Sequence, residues 1–466
     1  MMSKFKTERL LKLNNNWKFE NLIALLFIVF GILGWKFNYA LGAIPTILLS
    51  VILMILSDDF KYAIPAILVL LFSYGAGFEV SVFPFEIVIP VAIFVVFVIV
   101  FTIMHFKKEK LKHIKSCIGM AILSIAFIIP IFWVRLINET NMVFYVMYFS
   151  WLMYTLLYLL FCFNLNKKSF RMLVFSLSWL SVLITVELFL AVLKLKQENP
   201  DQNILSFWYY IGWGLCNEAG IMLCFIMPFI IYELIKSNTL LTSLIAVIKI
   251  IITLGGIFLT TSRGTLLFGG LELLSFGVIM CILKYDLKLT KLSLLLFIFA
   301  IGLTGISILT NGSFYKDIFN NIFELNLDGN GRVEMWQLGF NAYGEAGHYF
   351  FGSGIVTEIR EKEVFNGFQE TFIVYHNTFI EVFISAGIPG LVGILYHLYE
   401  KYKMLFKKDN VFKFTFLIGY LFVDIYGLID NTYGMYYYMV PLVMVLAIFR
   451  LSDNYELYDK INENLF

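Results

Sequence analysis

Long apolar runs separated by short polar turns make up most of this 466-residue chain. A membrane-spanning helix needs about 20 mainly apolar residues, and runs of that kind recur along the whole sequence. The pattern predicts an all-α, polytopic integral membrane protein with about fourteen transmembrane helices. The predicted spans are residues 20–35, 39–56, 62–79, 83–106, 116–134, 143–163, 172–193, 219–235, 241–260, 265–283, 291–309, 377–396, 411–430 and 433–449.

One long polar segment interrupts this pattern between the eleventh and twelfth spans. It defines three regions, which are the N-terminal helices (1–309), a large loop (310–375), and the C-terminal helices with a tail (376–466). Polar motifs lie at the edges of the apolar runs on either side of the loop. They are Thr260-Thr261-Ser262-Arg263-Gly264 before it and His376-Asn377-Thr378-Phe379-Ile380-Glu381 after it. We expect any chemistry to lie in this stretch of the chain.

Composition supports the membrane assignment. Hydrophobic residues are 60% of the chain, charged residues are only 15%, and the mean hydropathy is +0.82, which excludes an ordinary soluble domain. The 5 cysteines fall in or beside apolar runs, so neither a disulfide framework nor a structural zinc site is expected. The first apolar run follows a basic N-terminal region, as in a signal peptide. We interpret it as an uncleaved first span, because its removal would break the topology that follows.

The distribution of basic residues predicts the topology. Of the 35 lysines and arginines, 25 fall in segments that would be inside if the N-terminus is inside. Nine fall in outer segments, and Lys249 lies within a span. This asymmetry follows the positive-inside rule, so we predict a multi-pass protein of the cell membrane with both termini cytoplasmic and residues 310–375 outside. The large loop on one face points to work done on the outer face.

Two arginines on the outer side are candidates for binding an anion. Arg263 lies in a turn between two apolar runs, with Ser262 and Gly264 beside it. Arg332 follows Gly329-Asn330-Gly331 and precedes a sequence that could begin a helix lying on the membrane. A snorkelling interfacial arginine and a solvated loop arginine are the structural alternatives. The functional interpretation is a pair of guanidinium groups that bind a phosphate head group by bidentate contacts.

His376 is the candidate general base, at the predicted outer start of the twelfth span. Asn377 and Glu381, four residues apart, would lie on one face of that helix. An interfacial histidine can be only a hydrogen-bonded anchor, but it is also the side chain best suited to accept a proton near neutral pH. His348, the other outer histidine, is a weaker candidate.

Several carboxylates are predicted within spans, where an ionisable group needs a partner or a wet cavity. They are Asp424, Asp430, Glu187 and Glu272. Each could pair with an arginine or with Lys249, or line a cavity, and the sequence leaves these alternatives open. No paired-aspartate metal motif occurs on the outer side, and neither a phosphate-binding glycine loop nor an HExxH motif is present, so no metal or cofactor is expected.

Together these residues resemble the O-antigen ligase and Wzy-type polysaccharide polymerase family. The resemblance rests on Thr261-Ser262-Arg263-Gly264, on Gly331-Arg332-Val333-Glu334-Met335-Trp336 in the large loop, and on His376-Asn377-Thr378-Phe379 before Ala386-Gly387-Ile388-Pro389-Gly390. Asn217-Glu218-Ala219-Gly220, before the eighth span, is similar to an asparagine motif of the family. The similarity covers about residues 217–393.

The resemblance implies an inverting, metal-independent membrane glycosyltransferase of the GT-C type. Its donor and acceptor would be glycans, with the donor carried on undecaprenyl diphosphate. Arg263 and Arg332 would hold the diphosphate and His376 would activate the acceptor, with Ser262, Asn377 and Asn217 also contacting substrate. A late carboxylate also matters in the ligases, and Asp430 is the candidate here. The bilayer, a flippase and a chain-length regulator are the implied partners, and no nucleic-acid partner is expected.

Elementary chemistry agrees with these roles. An outward-facing transferase needs a lipid-linked donor because sugar nucleotides are not expected outside the cell. A lipid diphosphate leaves as an anion and needs cations, whereas the acceptor hydroxyl needs a base. If Arg263, Arg332 and His376 form one site, their side chains should converge within about 10 Å.

Three functions remain open at this point, beside a non-catalytic membrane scaffold in which these polar residues are only interfacial anchors. A polymerase would extend lipid-linked repeat units into a capsule, O-antigen or exopolysaccharide, and this is the function we favour. An O-antigen ligase would transfer a finished glycan to lipid A core or another acceptor with the same machinery. A flippase or exporter of lipid-linked oligosaccharide would use intramembrane charges such as Lys249 and would not need Arg332 and His376.

Overall fold

The apolar runs fold as helices in a computed structural model of the chain. The model describes residues 16–73, 85–106, 117–132, 142–200, 209, 211–282, 332–346, 349–354, 357–362, 367–372 and 375–451. The α-helices of the described part are α1 (Trp17–Lys36), α2 (Tyr39–Ser57), α3 (Ala63–Phe72), α4 (Phe85–Met104), α5 (Ile118–Ile128), α6 (Met142–Asn164), α7 (Ser169–Glu198), α8 (Cys216–Lys236), α9 (Leu240–Leu259), α10 (Arg263–Ile282), α11 (Arg332–Ala346), α12 (Thr378–Phe406), α13 (Asn410–Tyr426) and α14 (Tyr436–Phe449).

Thirteen of these helices, all except α11, coincide with predicted spans, and the eleventh predicted span, 291–309, lies outside the described residues. Six of the described helices, α1, α2, α7, α8, α9 and α12, are long and apolar enough to cross a membrane, and six shorter apolar helical stretches accompany them. The prediction of an all-α polytopic integral membrane protein is confirmed.

Helix α8 lies at the centre of the bundle. Its most apolar window is 94% buried, against 33% for α2, because α7, α9, α10 and α13 pack around it. Aromatic side chains fill the space between α8 and α13, with Phe229 4.8 Å from Phe416 between ring centroids. Lipid gives no hydrophobic drive for helices to associate, so close packing of this kind supplies the attraction.

Several helices begin at a polar residue that lies between two apolar runs and whose side chain caps the helix N-terminus. Asn38 accepts from Ala40 N at the start of α2, and Asp409 accepts from Phe412 N at the start of α13. These side chains satisfy backbone donors that have no partner within their own helix. The short polar turns therefore end one span and begin the next.

Helix α12 contains a sharp break at Gly387, where φ is +62°. The segment 349–354 of the large loop packs into this break, with Ser353 N donating to Ile384 O at 2.8 Å and Ile388 N donating to Phe350 O at 2.9 Å. A Cβ atom at Gly387 would lie 2.6 Å from Gly352 N, so no larger residue fits there without movement. The break thus anchors segment 349–354 of the loop on α12.

The described part of the large loop (310–375) contains a helix and a strand hairpin. A helix was predicted to begin near Arg332, and α11 confirms it. The described part also contains a two-stranded antiparallel hairpin, which the sequence analysis did not predict, formed by β1 (Thr357–Lys362) and β2 (Gly367–Phe372) with Thr357 opposite Phe372. Each strand has only six residues, and neither alternates polar and apolar residues regularly, so the sequence carried little strand signal.

The connection between α13 and α14, residues 427–435, carries the polar residues Asp430, Asn431 and Thr432. Asn431 and Thr432 are buried, and the Asp430 side chain is 13% exposed. Irregular backbone next to spans is tolerated in a membrane only where protein buries it or where it lines a wet cavity. The polar residues of this connection lie inside the protein rather than against lipid.

The buried charges pair within the bundle, which resolves the alternatives left open by the sequence. Lys249 Nζ donates to Glu233 Oε2 at 3.0 Å, so it partners none of the carboxylates considered for it. Asp424 pairs with Lys401 at 2.6 Å. Lys401 was assigned to an inner loop, but α12 continues past residue 396 to Phe406 and buries it.

The two remaining intramembrane carboxylates have no cationic partner in the described part of the chain. Glu187 accepts a hydrogen bond from Trp213 Nε1 at 2.8 Å. Both oxygens of Glu272 are buried and lack a hydrogen-bond partner there. Burial of a carboxyl group without a cationic partner is costly in such surroundings.

Candidate functional site

His376 and Asp430 form a pair beside the N-terminal end of α12 and the C-terminal end of α13. His376 Nδ1 lies 3.0 Å from Asp430 Oδ1, and the two side chains are 30% and 13% exposed. A carboxylate only accepts hydrogen bonds, so Nδ1 carries the hydrogen and the neutral ring keeps a lone pair on Nε2. The pair is thus arranged to accept a proton at Nε2, with Asp430 supporting the cation that results.

The backbone around this pair is held by contacts between the start of α12 and the connection 427–435. Thr378 N donates to Gly427 O at 2.8 Å, and Thr432 N donates to Thr378 Oγ1 at 3.0 Å. Asn431 N donates to the same Asp430 oxygen that faces His376, at 2.8 Å. These bonds fix the carboxylate relative to the helix that His376 precedes.

Asn377 is buried and both ends of its amide bond to protein. Its Oδ1 accepts from Phe379 N and Ile380 N at 3.0 and 3.1 Å, which caps α12. Its Nδ2 donates to Leu428 O at 2.8 Å. The residue therefore connects the N-terminus of α12 to the connection that carries Asp430.

The Ser262 turn, residues 261–264 at the start of α10, lies beside the pair. Ser262 Oγ is 3.4 Å from the Tyr426 hydroxyl, which in turn is 3.5 Å from Asp430 Oδ2. A Cβ atom at Gly264 would come 2.6 Å from Cε2 of Tyr426, so the glycine makes room for the ring. A chain of side chains thus joins the turn that carries Arg263 to Asp430 and His376.

The first turn of α8 reaches the same region. Glu218 Oε2 accepts from Leu215 N at 2.8 Å, and its carboxylate interacts electrostatically with Asp430 and Tyr437. The Tyr437 hydroxyl is close to Glu218 but makes no hydrogen bond of normal geometry in the described part. Asn217, half-buried, lies in the same turn.

The loop helix α11 packs directly on the segment that carries His376. Trp336 Nε1 donates to Tyr375 O at 2.6 Å, and Tyr375 is buried with Ile384 under α11. Burial raises the pKa of Tyr375, and the nearby Glu381 carboxylate adds to the rise, so its hydroxyl stays protonated. Arg332 is the first residue of α11, one helical turn before Trp336.

A second carboxylate lies next to His376. Glu381 Oε2 accepts from Tyr375 N at 3.3 Å and from Asn431 Nδ2 at 3.4 Å, and it interacts electrostatically with His376. Glu381 therefore places a second carboxyl group beside the imidazole.

Backbone strain is concentrated at this site. Thr261 (φ +56°) and His376 (φ +48°) adopt the left-handed region, as does one other non-glycine residue of the described part, Asp58 (φ +53°). This conformation costs about 1–2 kcal/mol outside glycine, and strain of that kind tends to accumulate where function requires a fixed geometry. Both motifs that flank the large loop contain one such residue.

The structure brings together most of the predicted residues at the level of backbone and helix position. His376, Asp430, Ser262 and Asn377 are linked as described, and Arg263 and Arg332 each begin a helix that packs against this group. The side chains of Arg263 and Arg332, and all of His348 and residues 329–331, lie outside what the structure describes. The predicted convergence of the two guanidinium groups on one point stays a prediction.

Sequence reasoning missed Tyr426, Glu218 and Tyr437, and it placed Glu381 on the face of α12 without giving it a role. One signal was available for Tyr426, which precedes Asp430 by four residues and so lies one helical turn before it. In the part of the chain that the structure describes, no group of three or more His, Cys, Asp or Glu side chains is placed to hold a metal ion.

One family model matches part of the chain. The family model Wzy_C, described as O-antigen ligase, matches residues 248–395, which include Arg263, Arg332 and His376. No curated protein matches the chain. The resemblance to the O-antigen ligase and Wzy-type family is confirmed over the matched residues, and it suggests a membrane enzyme of the glycosyltransferase kind.

Proposed function

We propose that this protein polymerises undecaprenyl-diphosphate-linked oligosaccharide repeat units into a surface polysaccharide, by metal-independent inverting transfer on the outer face of the cell membrane. The observation that carries the proposal is the His376–Asp430 pair, at 3.0 Å, beside the turn that precedes Arg263. Two of the residues in this arrangement, Arg263 and His376, fall within the match to the O-antigen ligase family.

His376 acts on the acceptor in this proposal. Its Nε2 lone pair takes the proton from an acceptor hydroxyl as the oxygen attacks the anomeric carbon, and Asp430 stabilises the imidazolium that forms. The bond from the anomeric carbon to the diphosphate breaks with its electron pair going to the phosphate oxygen. Attack opposite the leaving group inverts the anomeric centre, so no covalent enzyme intermediate is required.

Arg263 and Arg332 act on the leaving group. Each is the first residue of a helix, α10 or α11, where unpaired backbone N–H groups and the helix dipole favour an anion. A guanidinium at that position adds charge and bidentate geometry for a phosphate. Both groups stabilise the negative charge that develops as the diphosphate leaves.

The position of the site at the ends of apolar helices fits a lipid-linked donor. His376 and Asp430 are partly exposed beside the ends of α12 and α13, so a diphosphate at the membrane surface would reach them while its polyprenyl tail stays in lipid. Helix α11 lies above the same residues through the contact of Trp336 with Tyr375. The acceptor glycan enters from the outer side past this helix.

A ligase function is the second candidate, because the matched family is described as O-antigen ligase. It uses the same base and the same diphosphate contacts, and differs only in the acceptor. An exporter of lipid-linked oligosaccharide is disfavoured. The buried cations Lys249 and Lys401 each pair with a carboxylate inside the bundle, so neither is a free charge along a transport path.

The test supplies purified protein with an undecaprenyl-diphosphate-linked repeat unit in lipid nanodiscs without added metal. We expect lipid-linked products longer by whole repeats, and their loss in His376→Ala. His105→Ala is the matched control, since His105 bonds to Asp58 away from the site. Transfer only to an added lipid A core acceptor would replace the polymerase with the ligase. Translocation without any new glycosidic bond, unaffected by His376→Ala, would reject both.

A further inference from the structure

The hydroxyl of Tyr426 lies between two parts of the site that are far apart in sequence. It is 3.4 Å from Ser262 Oγ and 3.5 Å from Asp430 Oδ2. Ser262 directly precedes Arg263 at the start of α10, and Asp430 faces His376 with its other oxygen. Tyr426 therefore touches both the turn that carries a donor-binding arginine and the carboxylate that orients the base.

The rest of Tyr426 is fixed at the same place. The side chain is 5% exposed, and its ring packs edge-on against Phe268 of α10, with 5.7 Å between centroids. Gly264 leaves the room that the ring occupies. The Tyr426 carbonyl accepts from Asp430 N at 2.9 Å, so its backbone also holds the turn that presents Asp430.

We propose that Tyr426 is a positioning residue, which holds the Ser262 turn and the His376–Asp430 pair at one fixed separation. This rests on the proposed function, because the separation matters only if donor and acceptor react between these two groups. Misplacement of reacting groups by about 1 Å can cost about a hundredfold in rate. Tyr426 thus couples the position of the donor phosphate to the position of the base.

The hydroxyl also affects the charge that His376 experiences. It donates toward Asp430 Oδ2 and so disperses part of the carboxylate charge. Without it, Asp430 stabilises the imidazolium more strongly. The other titratable groups of the described part that face the pair are Glu381, Glu218 and Tyr437, of which Tyr437 also interacts electrostatically with Tyr426.

The first experiment compares Tyr426→Phe with the wild type in the glycan-transfer assay. Since the ring and its packing remain, we expect normal folding, a kcat lower by about tenfold or more, and an acidic limb of the pH–rate profile moved to higher pH. Tyr39→Phe is the matched control, because the Tyr39 hydroxyl bonds to Leu70 O at 2.7 Å, away from these residues. A variant with wild-type kcat and an unmoved pH profile overturns the proposal.

A double-mutant cycle tests the bridge itself. If Tyr426 acts through Ser262, then Ser262→Ala and Tyr426→Phe together should reduce kcat no more than the stronger single change. Fully additive losses would show that the hydroxyl does not connect the two groups, and would overturn the proposal.

A third measurement does not depend on activity. Histidine-labelled protein is titrated by NMR, with the His376 signal assigned by its loss in His376→Gln. The proposal requires that Tyr426→Phe move this titration to higher pH, whereas an unchanged titration overturns it. If the wild type transfers no glycan to any acceptor, the proposed function is wrong. If the wild type is active and Tyr426→Phe has the same kcat and the same His376 titration, only the role of Tyr426 is wrong.

Discussion

His376 Nδ1 lies 3.0 Å from Asp430 Oδ1, although 54 residues separate the two in sequence. The contact joins the segment before α12 to the connection after α13, and it fixes which ring nitrogen is available as a base. The same aspartate interacts with the first turn of α8 through Glu218 and with the start of α10 through Tyr426. The ends of four helices, α8, α10, α12 and α13, thus meet at one carboxylate.

The pair predicts how its two members contribute to rate. His376→Ala should lower kcat by about a hundredfold or more, because no other base reaches the acceptor hydroxyl in our proposal. Asp430→Asn should also lower kcat, since an amide can donate to Nδ1 and favour the tautomer that places the hydrogen on Nε2. The double variant should be no slower than His376→Ala alone. Fully additive losses in steady-state kinetics would contradict a shared role.

The arginines predict a loss that depends on the donor. Arg263→Ala and Arg332→Ala should each weaken donor use by about tenfold to a hundredfold, which corresponds to about 1.4 to 2.7 kcal/mol of charge-assisted hydrogen bonding. Arg263→Lys should restore only part of this, because an ammonium lacks the planar fork. The initial rate is measured at increasing donor concentration to give kcat/KM. Lys36→Ala is the control for the loss of one positive charge elsewhere in the protein. Equal activity of Arg263→Ala and wild type would remove that residue from the site.

The break in α12 predicts a selective effect on the outer loop. Gly387→Ala places a Cβ 2.6 Å from Gly352 N in a backbone conformation that alanine avoids, so segment 349–354 should detach. We expect faster cleavage of the loop by an external protease, with the helix bundle intact. Gly344→Ala on α11 is the matched control, because a Cβ there meets no atom within 4 Å. Equal cleavage rates in the two variants would show that the break does not anchor the loop.

The Lys401–Asp424 pair predicts an effect on stability rather than on chemistry. Lys401→Met leaves Asp424 without its cation and should destabilise the protein by about 3 kcal/mol or more. The variant Lys401→Met with Asp424→Asn should recover much of that loss, because no uncompensated charge remains. Thermal unfolding in detergent is the measurement. A double variant less stable than Lys401→Met would show that the pair is not the main contribution at this position.

The sequence by itself determined the membrane architecture, because hydrocarbon requires each span to be a run of apolar residues that forms its own backbone hydrogen bonds. Thirteen of the predicted spans therefore correspond to helices, and the polar segment between the eleventh and twelfth spans could be recognised as the exception. His376 and Asp430 could be selected because ionisable groups near lipid are costly and need a reason.

Only the tertiary structure decided which of these groups meet. The sequence shows that burying Lys249, Lys401 or Asp424 is costly. Their partners lie on different helices, so pairing depends on how the helices are rotated and how far each one extends. Lys401 meets Asp424 only because α12 continues to Phe406. Tyr426 illustrates the same limit. A tyrosine near the end of an apolar helix is common in membrane sequences. Its role follows only from its contacts with Ser262, 164 positions away in sequence, and with Asp430, four positions away.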